Sequence, residues 1–268
     1  MDCNRNILLH YMSMAPLALA FERYLECCIF EKYSLDAPVL DIGCGDGLFA
    51  HILFCEKIDT GIDMNLRELD RAQALGAYAE LLHAKGDSIP KPDAFYKTIM
   101  SNSVLEHISD LEPVFREIHR LLTPDGRFFM TVPTPNFEHN TVVNQVLTFF
   151  GFESLAAQYR RFCSKVIWQQ CHYHYLSDWD ALVSSFGFEV VESTTYNPKA
   201  ICLVNDFLYP FGIIGLINKK LFNRWVLFPP IRRVLIYPVY LLVRSIFDRI
   251  DRSGEDGLVF MILKKANE

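Results

Sequence analysis

Val39-Leu40-Asp41-Ile42-Gly43-Cys44-Gly45-Asp46-Gly47-Leu48-Phe49-Ala50 is the stretch that decides the fold. Its first four residues read as a short buried strand, its glycines as a turn, and the residues after Gly47 (LFAHILFCEK) resume helical spacing. Glycines between a strand and a helix let the backbone approach a ligand closely. The start of the helix offers unpaired N–H groups to an anion. The spacing is Gly-x-Gly-x-Gly; the dinucleotide pattern would need its last glycine at position 48, where this chain has Leu48. Asp63 follows Gly43 by 20 residues, at the expected tip of a second strand. A carboxylate there can accept two hydrogen bonds from ribose hydroxyls.

Around this centre, strands alternate with helices. Residues 14–33 carry apolar side chains at helical spacing, with Pro16 suited to a first turn. Further strands are expected at 58–62, 78–84, 95–100 and 126–132, with helices at 66–77 and 111–122 between them. After Pro133 the regularity loosens: 140–170 reads as helical with a break at Gly151, and 177–186 as a helix opened by Ser177 and closed by Gly187. Strands are expected at 189–195 and in GLVFMILKK (257–265). This order predicts an α/β fold, a doubly wound and mostly parallel sheet covered on both faces, with an apolar helical insertion before the last strand.

Of the 268 residues 51% are apolar and 22% charged, enough for one large domain or a domain plus an insertion. That composition excludes a mainly disordered chain and a disulfide-stapled miniprotein. A net charge of −6 argues against a nucleic-acid partner. No Cys-x-x-Cys pair occurs and no metal is expected. The N-terminus lacks the basic-then-apolar order of a secretory signal, so a cytoplasmic chain is expected. The longest charge-free stretches near the C-terminus, 207–218 and 234–243, fall short of the ~18–20 residues that span a bilayer, so no transmembrane helix is expected.

In VLDIGCGDGLFA (39–50), GIDMN (61–65), GDSIP (86–90), SNSVLEHISD (101–110) and LTPDGRFFMTVP (122–133), the sequence resembles the class I S-adenosylmethionine-dependent methyltransferases, close to the type 11 group. The likeness runs from about 38 to 196 and resumes at 257–265. It departs slightly at Pro124-Asp125-Gly126, where the family often has Pro-Gly-Gly. It implies a Rossmann-like seven-stranded sheet with an antiparallel last strand, and S-adenosylmethionine as cofactor. Asp41, Gly43, Cys44 and Gly45 would then line the methionine part, Asp63 would hold the ribose and Met64 would pack on adenine. Asp87, with Ser88 beside it, would accept from the adenine amino group. Ser101 and Asn102 would border the sulfonium and the acceptor. The implied organisation is an N-terminal helical segment (1–37), a cofactor-binding core (38–196), the insertion (197–256) and a final core strand with its tail (257–268).

A sulfonium methyl is already activated, so a base is needed only when the acceptor must lose a proton. His107, just past the fourth strand, is the catalytic candidate; alternatively Glu106 and His107 cap and orient that loop. His172 and His174 lack a nearby third metal ligand, and His139 is a loop residue near the same face. Cys27 and Cys28 read as core thiols.

Residues 207–252 differ from the rest. Eight basic residues stand there against Asp248 and Asp251, interleaved with nine aromatics and broken by Pro210, Pro229, Pro230 and Pro238. This pattern fits short helices on an anionic membrane surface, or equally a packed lid whose arginines reach water. Either way a hydrophobic or lipid-linked small-molecule acceptor is expected, with the chain peripheral on a membrane's cytoplasmic face in the first case. The rivals are a soluble methyltransferase for a small metabolite or protein side chain, and a non-catalytic cofactor- or lipid-binding protein. Oligomeric state and acceptor atom stay open.

Overall fold

The computed structural model describes residues 6–247 and 256–266, so Asp248, Arg249, Asp251 and Arg252 of the insertion lie outside the described residues. Two helices open the chain, α1 (Ile7–Met14) and α2 (Leu17–Phe30). The alternating half follows: β1 (Val39–Ile42), α3 (Leu48–Leu53), β2 (Ile58–Asp63), α4 (Leu66–Leu75), β3 (Tyr78–His83), β4 (Tyr96–Asn102), a 3-10 turn (Leu105–His107), α5 (Glu112–Leu121) and β5 (Leu122–Pro133). Beyond it come α6 (Pro135–His139), α7 (Val142–Phe149), α8 (Glu153–Phe162), a π turn (Cys163–Ile167), α9 (Leu176–Ser185) and β6 (Phe188–Tyr196). The insertion holds α10 (Lys199–Leu208), a 3-10 turn (Tyr209–Gly212), α11 (Ile213–Phe222) and α12 (Pro229–Phe247), and β7 (Leu258–Lys265) closes the sheet.

The seven strands form one sheet in the order β3-β2-β1-β4-β5-β7-β6. β1 to β5 pair in parallel, whereas β7 runs antiparallel to both β5 and β6, as the resemblance implies. The chain winds outward from β1 through β2 to β3, then returns to lay β4 on the other side of β1. Ligands bind in the crevice at such a reversal, beyond the carboxyl ends of the two diverging strands. Successive side chains on a strand face opposite ways. Phe129 and Phe260 thus join Phe30 and Met12 in one core, while Phe128, Met130 and Met261 join Phe115 and Trp179 in the other. Helix α5 presents Val114, Phe115, Ile118 and Leu121 to the second core at helical spacing.

Three local expectations are corrected. The expected helix 14–33 is two helices, because Ala15 and Pro16 are extended; α1 begins at Ile7, with the Asn6 side chain accepting from the Leu9 amide at 3.1 Å. Pro238 does not break α12, although it removes a ladder hydrogen bond. The third concerns the absence of a membrane-length helix. Residues Lys199–Phe222 run as a helix that is long and apolar enough, by length and composition, to cross a membrane. The charge-free run stops at Asp206, but the helix does not, because the Asp206 carboxylate accepts the Val142 amide at 2.8 Å. Only 17% of its apolar window is buried.

Candidate functional site

The turn after β1 is fixed by backbone bonds to the end of β2. The amides of Gly43 and Cys44 both donate to the Ile62 carbonyl at 2.9 Å. Asp63 finishes the job with its side chain, accepting the Gly45 amide at 3.0 Å and the Asn65 amide at 2.7 Å. Gly43 has φ +74°, and a Cβ there would stand 2.4 Å from a methyl of Val104 at the end of β4. No other residue fits that close approach. Gly45, with φ +54°, has nothing within 4 Å of where a Cβ would stand, so its backbone faces open space.

That space is a cleft of about 280 Å³. Asp41, Gly43, Cys44, Gly45 and Asp46 form one side, and Asn102, Ser103 and Val104 the side opposite. Tyr11, Leu19 and Arg23 close it from the N-terminal helices; Lys219 and Trp225 close it from the insertion. Asp41 is buried and accepts the Tyr78 hydroxyl at 2.6 Å, and its burial pushes its pKa up to about 7. Burial likewise pushes the Cys44 thiol well up, so it is no nucleophile.

The remaining candidates sit at different depths. Asp63 is half-buried, while Met64, Asp87 and Ser88 are exposed on the loops after β2 and β3, at the same edge of the sheet. Asn102 lines the cleft; its Nδ2 donates to Glu26 at 3.0 Å. Ser101 does not line it: the side chain is fully buried and its hydroxyl has no partner.

Glu26 is the hub that the sequence does not reveal. Fully buried, it accepts from Arg23 at 2.6 Å, Asn102, Ser103 at 3.3 Å and Tyr196 at 2.9 Å. Burial works against the Arg23 charge, and the carboxylates of Glu26 and Glu22 outweigh it. Ser103 holds φ +54°, a left-handed conformation that is costly for serine, beside this cluster.

A second cavity of about 340 Å³ adjoins the cleft and shares Leu19, Arg23 and Ser103 with it. Both His107 and Glu106 line it. The His107 side chain is 47% exposed, with Nδ1 3.3 Å from the Gln169 carbonyl. Glu106 is the member of the pair turned inward, with a side chain 3% exposed. His172 is tied to the Ile108 carbonyl at 2.8 Å, and His174 packs edge-on against Trp179. Among the described residues no cluster of three or more His, Cys, Asp or Glu could hold a metal.

The insertion has two unlike faces. Inward, Lys219 pairs with Asp46 of the glycine turn at 3.2 Å and with Glu68 at 2.9 Å, and sits 4.2 Å above the Trp225 ring. Trp225 Nε1 also donates to Asp46 at 2.7 Å. Outward, Leu221, Val234, Leu235 and Leu242 are each about two-thirds exposed or more, alongside the exposed bases Lys220, Arg224, Arg233 and Arg244. Phe149 and Phe150, at the end of α7, are exposed as well.

A family profile described as a methyltransferase domain matches residues 15–193. An uncharacterized methyltransferase of Mycobacterium tuberculosis is 36% identical over 106 residues, 38% of this chain and 53% of that protein. The chain thus spans about half the length of the curated relatives it matches first. A sterol 24-C-methyltransferase of Neurospora crassa is 32% identical over 131 residues, 45% of this chain and 34% of that protein. Among solved structures, an S-adenosylmethionine-dependent methyltransferase of Thermotoga maritima shares the fold at a TM-score of 0.56 and 15% identity, covering 93% of this chain and 91% of that one.

Proposed function

The chain belongs to the methyltransferase-domain family, whose cofactor is S-adenosylmethionine, and on that premise we propose that it methylates a hydrophobic or lipid-linked small molecule at a membrane surface. The residues fit the cofactor: the Gly45 backbone opens on a cleft that a side chain would fill, at the reversal point of the sheet. When bound, S-adenosylmethionine supplies a methyl on a positively charged sulfur, activated for in-line displacement. Asp41, Gly43, Cys44 and Gly45 would hold its amino-acid end, Asp63 the ribose, and Met64, Asp87 and Ser88 the adenine. The protein's task is then alignment, and Glu26 serves it by fixing Arg23, Asn102 and Ser103 between the two cavities.

The observation that carries the acceptor class is the outer face of the insertion. Large apolar side chains interleaved with exposed cations favour contact with anionic lipid over water, at about 1 kcal/mol for each basic residue near the surface. An in-plane orientation suits Lys199–Phe222 better than a spanning one. Its inner face packs on α2, and Lys219 is bonded to the glycine turn. The sterol substrate in the name of the Neurospora relative is of the same apolar class.

Two measurements test the two halves. Calorimetry is expected to show S-adenosylhomocysteine binding that Asp63→Ala weakens by about 1.5–3 kcal/mol, the range for hydrogen bonds to a charged group. No binding by the wild-type chain refutes the cofactor half and leaves a fold without turnover. Flotation with phosphatidylserine-containing vesicles is expected to retain the wild type. The charge reversals Arg224→Glu and Arg233→Glu together are expected to lower retention by at least roughly 30-fold. A wild type that stays in solution leaves the insertion as a lid over a soluble enzyme.

A further inference from the structure

The second cavity carries a pattern of unmet hydrogen bonding that the cofactor does not use. Glu106 Oε2, Gln170 Oε1 and both polar side-chain atoms of Asn205 are buried without a partner. These three residues come from the turn after β4, the loop before α9 and the insertion helix α10, and all line this one cavity. Each residue is at least nine-tenths buried. Buried polar groups are almost always paired, and three orphans converging from separate elements mark a place where a polar ligand completes the set. The rest of the lining is mixed: Phe137 and Trp168, in ring contact 5.0 Å apart, stand with Tyr209 and Leu258, while Glu22, Arg23 and Asp206 add charged groups.

We propose that this cavity takes the polar head of an amphiphile, and that Glu106 accepts the proton from the hydroxyl or amine that is methylated. This rests on the methyltransferase assignment above and names the acceptor-side groups for it. Asn205 and Gln170 orient the head. The apolar remainder of the acceptor leaves past Tyr209 and Ile167 toward α7, α8 and α10, which expose Val143, Phe162 and Phe207. The step balances: the acceptor's heteroatom–hydrogen bond breaks and its proton ends on the Glu106 carboxylate. The heteroatom–carbon bond forms as the sulfur–carbon bond breaks, its electron pair stays on a neutral sulfur, and Glu106 later returns the proton to water. His107, on the rim at 3.9 Å from Glu106 Oε1, is placed to relay it outward.

Burial pushes the Glu106 carboxyl up to about 8, Arg23 opposes that shift, and Glu22 and Glu26 reinforce it. Those three lie on α2; Tyr173, in the loop before α9, feels the Glu106 charge, Asp206 of α10 lines the same cavity, and His107 is the neighbour of Glu106 in sequence. Because the carboxylate is the base, the wild-type rate is expected to climb with pH and level off above about 8.

The test uses the full chain, methyl-labelled S-adenosylmethionine and a total lipid extract of the organism that encodes it. Glu106→Gln is expected to keep S-adenosylhomocysteine affinity within about twofold and to lose methyl transfer by on the order of 10²-fold or more. It is also expected to flatten the pH limb and to remove a protonated-carboxyl band from the pH-difference infrared spectrum. Mass spectrometry of the labelled product separates an ether from an amine. An active wild type with a Glu106→Gln variant of equal rate and unchanged pH profile overturns this inference and leaves the methyltransferase assignment standing. A wild type that binds the cofactor but labels nothing in the extract overturns the lipid-acceptor proposal, and this inference with it.

Discussion

Glu26→Ala is expected to destabilise the protein by about 3–5 kcal/mol, the usual consequence of removing one partner of a buried ion pair. The carboxylate has no exposed surface and four donors converge on it, so alanine would strand Arg23 and leave Asn102, Ser103 and Tyr196 short of an acceptor. Urea unfolding followed by circular dichroism measures the loss. Glu26→Gln, which keeps one acceptor oxygen, is expected to lose less. An alanine variant within about 1 kcal/mol of wild type would mean that the cluster is held by its apolar surroundings instead.

Gly43→Ala is expected to weaken S-adenosylhomocysteine binding by roughly 30-fold or more, for two separable reasons. A left-handed φ costs a residue with a Cβ about 1–2 kcal/mol. Overlap with Val104 adds the ~1–3 kcal/mol typical of overpacking. The turn can relieve both only by moving, and the Gly45 amide bonded to Asp63 moves with it. Val104→Ala in the same chain removes the two methyls the new Cβ would strike but not the backbone strain, so it is expected to recover part of the affinity. Calorimetry on the single and double variants reads both effects. Wild-type affinity in Gly43→Ala would place the cofactor elsewhere than against this turn.

The sheet was legible because its signals are local. Each strand is a short apolar run with turn residues beside it, and the glycine turn and Asp63 lie within one βαβ unit. The site was legible only where it, too, is local. Glu26 sits in an unremarkable apolar helix, and its role exists because Asn102 and Tyr196, 76 and 170 residues away, are brought to it. Glu106 and His107 are adjacent in sequence, and nothing in that pair says which side chain turns inward; the packing of the loop before α9, with Cys171 donating to the Glu106 carbonyl, decides it. The long helix of the insertion was hidden for a related reason. Asp206 interrupts an apolar run in sequence, yet in space it caps the start of α7. Trp225 reads as one more aromatic among nine, while its indole N–H bonds to the aspartate of the glycine turn.

The contact of Lys219 and Trp225 with Asp46 has a consequence for traffic. On the proposed function, the segment that would rest on lipid is also one wall of the cleft that would hold the nucleoside, and the two molecules would meet across Arg23, Leu19 and Ser103 from opposite doors. With the cofactor held there as proposed, spent donor would leave on that side only once the lysine and the indole swing off the aspartate. Lipid that steadies this segment from outside would then set the exchange rhythm inside.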